Sequence, residues 1–202
     1  MKFAIPLAAL GLAAIAVPAH AQDPAQISKV SVGVVAGIDS VTLKIPADGS
    51  YSDTNIAYGV SLAYDHGIGD VFFGIEGEAT ESEVNGTYDI GVEHEALNAT
   101  RDLYLGTRLG VYVGDTLSLY VKGGYTNAGA EYEYSNGTTS YDENVNMDGF
   151  RIGGGMEANL SSNLAVRVEY RYSDYGEFSY ANVTTGITAE RHQGMIGLLG
   201  RF

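Results

Sequence analysis

Val166-Arg167-Val168-Glu169-Tyr170-Arg171-Tyr172 alternates without a break, with Val166, Val168, Tyr170 and Tyr172 on one side and Arg167, Glu169 and Arg171 on the other. Successive side chains of a strand point to opposite faces, so this heptapeptide reads as a β-strand with one apolar and one charged face. The same period recurs upstream. Val30, Val32, Val34, Ala36 and Ile38 oppose Ser31, Gly33, Gly37 and Asp39, and Ile56 to Tyr64 oppose Ala57 to Asp65. Val71, Phe73 and Ile75 oppose Phe72, Gly74, Glu76 and Glu78, and Leu103, Leu105, Leu109 and Val111 oppose Tyr104, Gly106, Arg108 and Gly110. Leu119, Val121 and Tyr125 oppose Tyr120, Lys122 and Gly124, while Phe150, Ile152 and Met156 oppose Arg151, Gly153, Gly155 and Glu157. A last strand sets Ile196, Leu198 and Phe202 against Gln193, Met195 and Arg201. Eight strands and no stretch of helical period make the chain all-β.

The connections alternate in length. Gly67-Ile68-Gly69-Asp70, Gly114-Asp115-Thr116 and Ser161-Ser162-Asn163 are tight turns, whereas residues 45–54, 81–99, 131–148 and 174–189 read as long loops. Short turns at one end and long loops at the other describe an eight-stranded antiparallel up-and-down transmembrane β-barrel, whose even strand count puts both termini at the turn end. The beginning of the chain fits export. Lys2, the apolar run Ala4 to Val17 and Ala19-His20-Ala21 have the form of a signal peptide over residues 1–21, leaving residues 22–202 as the barrel domain. The run is shorter than the ~20 residues of a spanning helix.

The face opposite the apolar one decides between lipid and a soluble core. It mixes Gly and Ala with single charges, where a solvated face would carry Lys, Thr and Ser, because Gly weakens strands without solvating them. Small residues around a few charges suit the lumen of an eight-stranded barrel, which side chains just fill. Glu76, Glu78, Arg108, Lys122, Arg151, Glu157, Arg167, Glu169 and Arg171 share this face, and Glu76 and Arg108 both lie about six residues above their turns, an estimate that ignores shear. The expectation is an interior ladder of paired charges, a structural plug, since unpaired burial is costly.

The stretch Val166 to Gly176, with its Glu169-Tyr170-Arg171-Tyr172 core, resembles the penultimate strand of the outer-membrane β-barrel family of opacity proteins and small porin-like surface antigens, similar to the OmpA transmembrane domain. Gly194 to Phe202 resembles that family's last strand, except that Gly200 stands where an aromatic is usual. The resemblance implies the outer membrane of a Gram-negative bacterium and makes Phe202 the C-terminal signal read by the barrel assembly machinery. It leaves activity open.

Chemistry-bearing patterns are sparse. His192 is followed by Gln193 and Gly194, without the serine of a His-x-Ser pair, and His94 lies between Glu93 and Glu95 in a solvated acidic loop, so no nucleophile with an adjacent base emerges and the chain reads as a non-enzyme without cofactor. Asp142 to Asp148 places oxygens at alternate positions, but Met147 occupies the glycine position of a calcium loop and Gly153 its bidentate Glu, so no metal site is expected. Asn85-Gly86-Thr87 and Asn136-Gly137-Thr138 read as loop or hairpin tips. Tyr58, Tyr64, Tyr125, Tyr170, Tyr172, Tyr175 and Phe202 are candidates for interfacial aromatic girdles.

With 25 acidic and 11 basic residues the formal charge is −14, which excludes nucleic acid as a natural partner, and the absence of cysteine excludes disulfides. Expected partners are outer-membrane lipid and lipopolysaccharide, bridged to the acidic loops by divalent cations, the assembly machinery, and an extracellular partner of the loops. The leading functional expectation is a structural or surface-interaction role of the adhesin or opacity type. The alternatives are a narrow porin-like channel and a soluble lipocalin-like carrier.

Overall fold

The computed structural model describes residues 26–45, 49–90, 93–135, 140–176, 179–180, 183–184, 186 and 188–202. The proposed signal peptide and its cleavage site lie outside them. Every regular element among the described residues is a strand: β1 (Gln26–Ile45), β2 (Gly49–Ile68), β3 (Val71–Ser82), β4 (Asn85–Ile90), β5 (Glu93–Val113), β6 (Leu117–Ser135), β7 (Ser140–Asn159), β8 (Leu164–Tyr175), β9 (Ser179–Tyr180), β10 (Val183–Thr184) and β11 (Thr188–Arg201).

Eight staves close the ring. Each stave pairs antiparallel with the next along the chain, β8 with β11 among them, β11 returns to β1, and β3 and β4 pair one after the other with β5 as a single interrupted stave. The small β9–β10 hairpin stands apart from the barrel sheet. The seam is secured at its end by Val30 N donating to Phe202 O at 3.0 Å and Phe202 N to Val30 O at 2.9 Å. Closure matters because a sheet edge in lipid has no water to satisfy its amides. At the turn end β2 joins β3 through Gly69-Asp70, with Gly69 at φ 58°, and β5 joins β6 through residues 114–116, with Gly114 at φ 64°. Both are left-handed conformations that glycine adopts without a Cβ penalty.

The other end differs from the long loops read from the sequence. β1 and β2 stay in register out to Ile45 opposite Gly49, β5 pairs with β6 up to His94 opposite Ser135, and β6 with β7 up to Ser135 opposite Ser140. These segments are ribbons that continue the barrel wall, those of β4, β5, β6 and β7 joined side by side into one sheet. Ladder hydrogen bonds need no apolar face, and the alternation left in these segments, such as Tyr132-Glu133-Tyr134, is too short to reveal a strand. Asn85-Gly86-Thr87 is accordingly no tip. It opens β4, with Asn85 opposite Asn98 and the pairing running on to Ile90 opposite Glu93, while Asn136-Gly137-Thr138 lies outside the described residues.

Burial is inverted relative to a water-soluble barrel. Leu105, Ile38 and Val121 are 66%, 64% and 62% exposed, whereas the largest fully buried side chains begin with Arg108, Arg151, Arg167 and Arg171. Buried apolar side chains gather into only a small cluster of Val35, Ala57 and Met195. Charges inside and a continuous apolar belt outside suit a chain whose surrounding medium is hydrocarbon.

Candidate functional site: the charged lumen

The lumen is built from the inward register of all eight staves. Glycine makes room for its large groups: a Cβ at Gly155 would stand 2.8 Å from the Tyr120 hydroxyl, and one at Gly74 3.2 Å from Arg108 Cγ. Phe72, Tyr104 and Tyr120 also point inward, and cations lie on their rings, with the Arg108 guanidinium 4.2 Å from the Tyr120 centroid and Lys122 Nζ 4.8 Å from that of Tyr104.

The nine charged residues singled out from the sequence are all buried here. Nearest the turn end, Arg108 donates to Glu76 and to Glu157 at 2.8 Å each and lies 3.2 Å from Asp65. Arg167 donates to the same Glu76 oxygen and to Glu157 at 2.9 Å. Arg201 closes this tier against Glu157 and Asn159. One step higher Lys122 Nζ sits between three carboxylates, 2.6 Å from Glu76, 3.1 Å from Glu78 and 2.8 Å from Glu169. Arg171 pairs with Glu78 and lies 3.4 Å from Glu169, which also accepts from the Tyr120 hydroxyl.

A second tier lies toward the ribbons. Arg191 Nε donates to Asp39 at 2.7 Å and Arg191 Nη1 to Asp102 at 2.9 Å, and Asp102 also accepts from Arg151, from Thr126 at 2.7 Å and from Tyr175 at 3.2 Å. Ser82 donates to Asp39 at 2.6 Å and Arg151 Nε to Ser173 at 2.8 Å. The tiers meet where Arg151 Nη1 lies 3.6 Å from Glu78. Among the described residues the buried acids Asp39, Asp65, Glu76, Glu78, Asp102, Glu157 and Glu169 are matched by seven buried bases, Arg108, Lys122, Arg151, Arg167, Arg171, Arg191 and Arg201. Burial of an unpaired charge is prohibitive, and this one-to-one balance offsets that cost.

Sequence reasoning left Asp39, Asp65, Asp102, Arg191 and Arg201 out of the ladder, although each has the inward parity of its strand. Tyr175, a girdle candidate, is corrected by the same parity. It shares a face with Arg171 and Ser173, is 2% exposed and donates to Asp102 inside the barrel. Tyr58, Tyr64, Tyr125, Tyr170 and Phe202 are exposed on the outer wall, and Tyr172 is half-buried beside His192, whose Nδ1 lies 2.7 Å from the Tyr170 hydroxyl.

Glu76, Glu78 and Glu169 bring carboxylate oxygens within 4.8 Å of one another, a spacing that suits a cation. Lys122 supplies that cation from within the chain. The side chains of Asp142 to Val145 lie outside those described, and Asp148 accepts from Tyr125 and, at 2.7 Å, from Asn127.

A closed antiparallel ring with a charged interior and an apolar exterior defines a transmembrane β-barrel. The chain matches the family described as outer membrane protein beta-barrel domain over residues 7–190 and belongs to it; it is an outer-membrane β-barrel protein. Its fold is similar to that of Ail, the attachment invasion locus protein of Yersinia pestis, solved with the heparin analogue sucrose octasulfate. The identity is 16% over 86% of this chain and 99% of that one, with a TM-score of 0.51. OprG of Pseudomonas aeruginosa aligns at 13% identity over 87% of this chain and 95% of its own, TM-score 0.49. Neisserial surface protein A aligns at 12% over 82% and 95%, TM-score 0.46. No curated protein sequence matches the chain significantly.

Proposed function

We propose that the protein is a plugged barrel serving as a structural and surface-interaction element of the outer membrane, presenting its ribbons outside the cell. The observation that carries this reading is the segregation of charge. Of 25 acids and 11 bases, seven of each neutralise one another in the lumen, so the remaining 18 acids and four bases hold the entire formal charge of −14 elsewhere in the chain. Short turns face the periplasm and long connections the exterior in such barrels, which puts most of those acids, Glu81, Glu131 and Glu190 among them, outside. A surface of this sign favours a cationic partner or divalent cations shared with lipopolysaccharide phosphates, and disfavours nucleic acid and sulfated sugars of the kind bound to Ail. β4 ends the sheet order and offers a main-chain edge beside these acids. Phe202, half exposed at the turn end and paired through its backbone to Val30, is the residue through which the assembly machinery would recognise the chain.

The reading is non-catalytic, consistent with His192 engaging two tyrosines on the outer wall. Reconstitution in planar bilayers tests the plug. The expected outcome is no steady conductance, and ion-selective openings would replace the plug with the narrow-channel reading. Shortening the β5–β6 and β6–β7 ribbons in expressing cells tests the surface role, with loss of partner binding at unchanged barrel levels as the expected result.

A further inference from the structure

We propose that the turn end of the barrel holds a site for a phosphate group, supplied by the headgroup of a phospholipid. It is independent of the role given to the ribbons.

A cavity of about 350 Å³ opens there, between the start of β1, the end of β11 and the β7–β8 turn. Charge balance fails at this place. Lys29 lines the cavity as an eighth inward cation beyond the seven matched in the lumen, and it forms no ion pair among the described residues. Its Nζ rests 4.7 Å from the Tyr112 ring centroid. Arg201, 7% exposed, lines the same cavity. Both its terminal nitrogens are engaged, by Asn159 and Glu157, while its Nε–H, like several arginine nitrogens deeper in the lumen, has no acceptor. A third donor is Ser161, whose hydroxyl oxygen accepts from Asn163 N at 3.4 Å and keeps its own proton to give.

An ammonium, a guanidinium N–H and a hydroxyl drawn from three segments suit the terminal oxygens of a phosphate better than the two of a carboxylate. The carboxylate lining the cavity is that of Asp115, on the neighbouring β5–β6 turn. The lipid source follows from the rim. Leu160 and Phe202, 59% and 47% exposed on the outer wall, border the cavity, so a phosphate seated inside would leave its acyl chains along the apolar belt.

The test uses the folded full chain in uncharged maltoside micelles, titrated with short-chain phosphatidylglycerol, with dihexanoylglycerol and with inorganic phosphate, and followed by amide and Arg Nε–H chemical shifts. Saturable shifts at Lys29, Ser161 and Arg201 with phosphatidylglycerol and none with dihexanoylglycerol are expected. Lys29→Gln should weaken the binding roughly tenfold and Asp115→Asn should tighten it. Heat-modifiable gel mobility verifies that both variants fold. Inorganic phosphate binding as tightly as the lipid overturns the lipid source. Absence of saturable shifts, or an unchanged affinity in Lys29→Gln, overturns the site.

Discussion

The two walls of β8 come from the same few residues and obey opposite rules. Arg167, Glu169, Arg171 and Ser173 are buried and interlocked, while Val168 and Tyr170 are 54% and 57% exposed. Inside, stability comes from pairing each charge; outside, it comes from carrying no charge. The difference shows that burial by protein and contact with lipid are separate environments: lipid withholds the partners that the opposite strands of a narrow lumen supply.

The sharpest way to break the contrast is Glu76→Ala. Glu76 joins Arg108, Lys122 and Arg167, so its loss takes one partner from each and leaves one buried positive charge uncompensated, and a cost of about 3–5 kcal/mol is expected from urea unfolding in lipid vesicles. Val121→Arg tests the outer wall, where an arginine finds no acid. It should cost about 2–4 kcal/mol in the same assay, less if the lipid is thinned. Gly155→Ala probes the room the lumen needs, because the new methyl meets the Tyr120 hydroxyl and the Val168 carbonyl; about 1–3 kcal/mol is expected. The smallest effect belongs to the ribbons. Lys44 and Glu190 pair with 51% and 26% of their side chains exposed, and Lys44→Ala should cost no more than about 1 kcal/mol. The hydrogen bond from Lys44 holds the Glu190 carboxyl below its usual value, so whatever it contributes is present above the ordinary carboxylate range and is lost as the pH falls through the lowered value. The wild-type and Lys44→Ala unfolding curves should therefore converge in acid.

Legibility of the molecule follows the same division. Where one wall meets lipid and the other the lumen, alternation is strong, and the inward positions of Glu76, Arg108 and Arg167 can be counted from the sequence. Tyr175 follows parity rather than residue type: the Arg-x-Ser-x-Tyr alternation from Arg171 turns it inward, away from any interfacial girdle. Above the belt the alternation shrinks to short runs such as Tyr88-Asp89-Ile90 and Tyr132-Glu133-Tyr134, too brief to separate strand from loop.

By itself the sequence determined the strand count, the face each side chain takes and the family, because these depend on a two-residue period and on local turn chemistry. Which charge meets which was decided by the closed ring. Arg191 reaches Asp39 across 152 positions and Arg167 reaches Glu76 across 91, contacts fixed by the stagger between staves, and no local signal records those offsets.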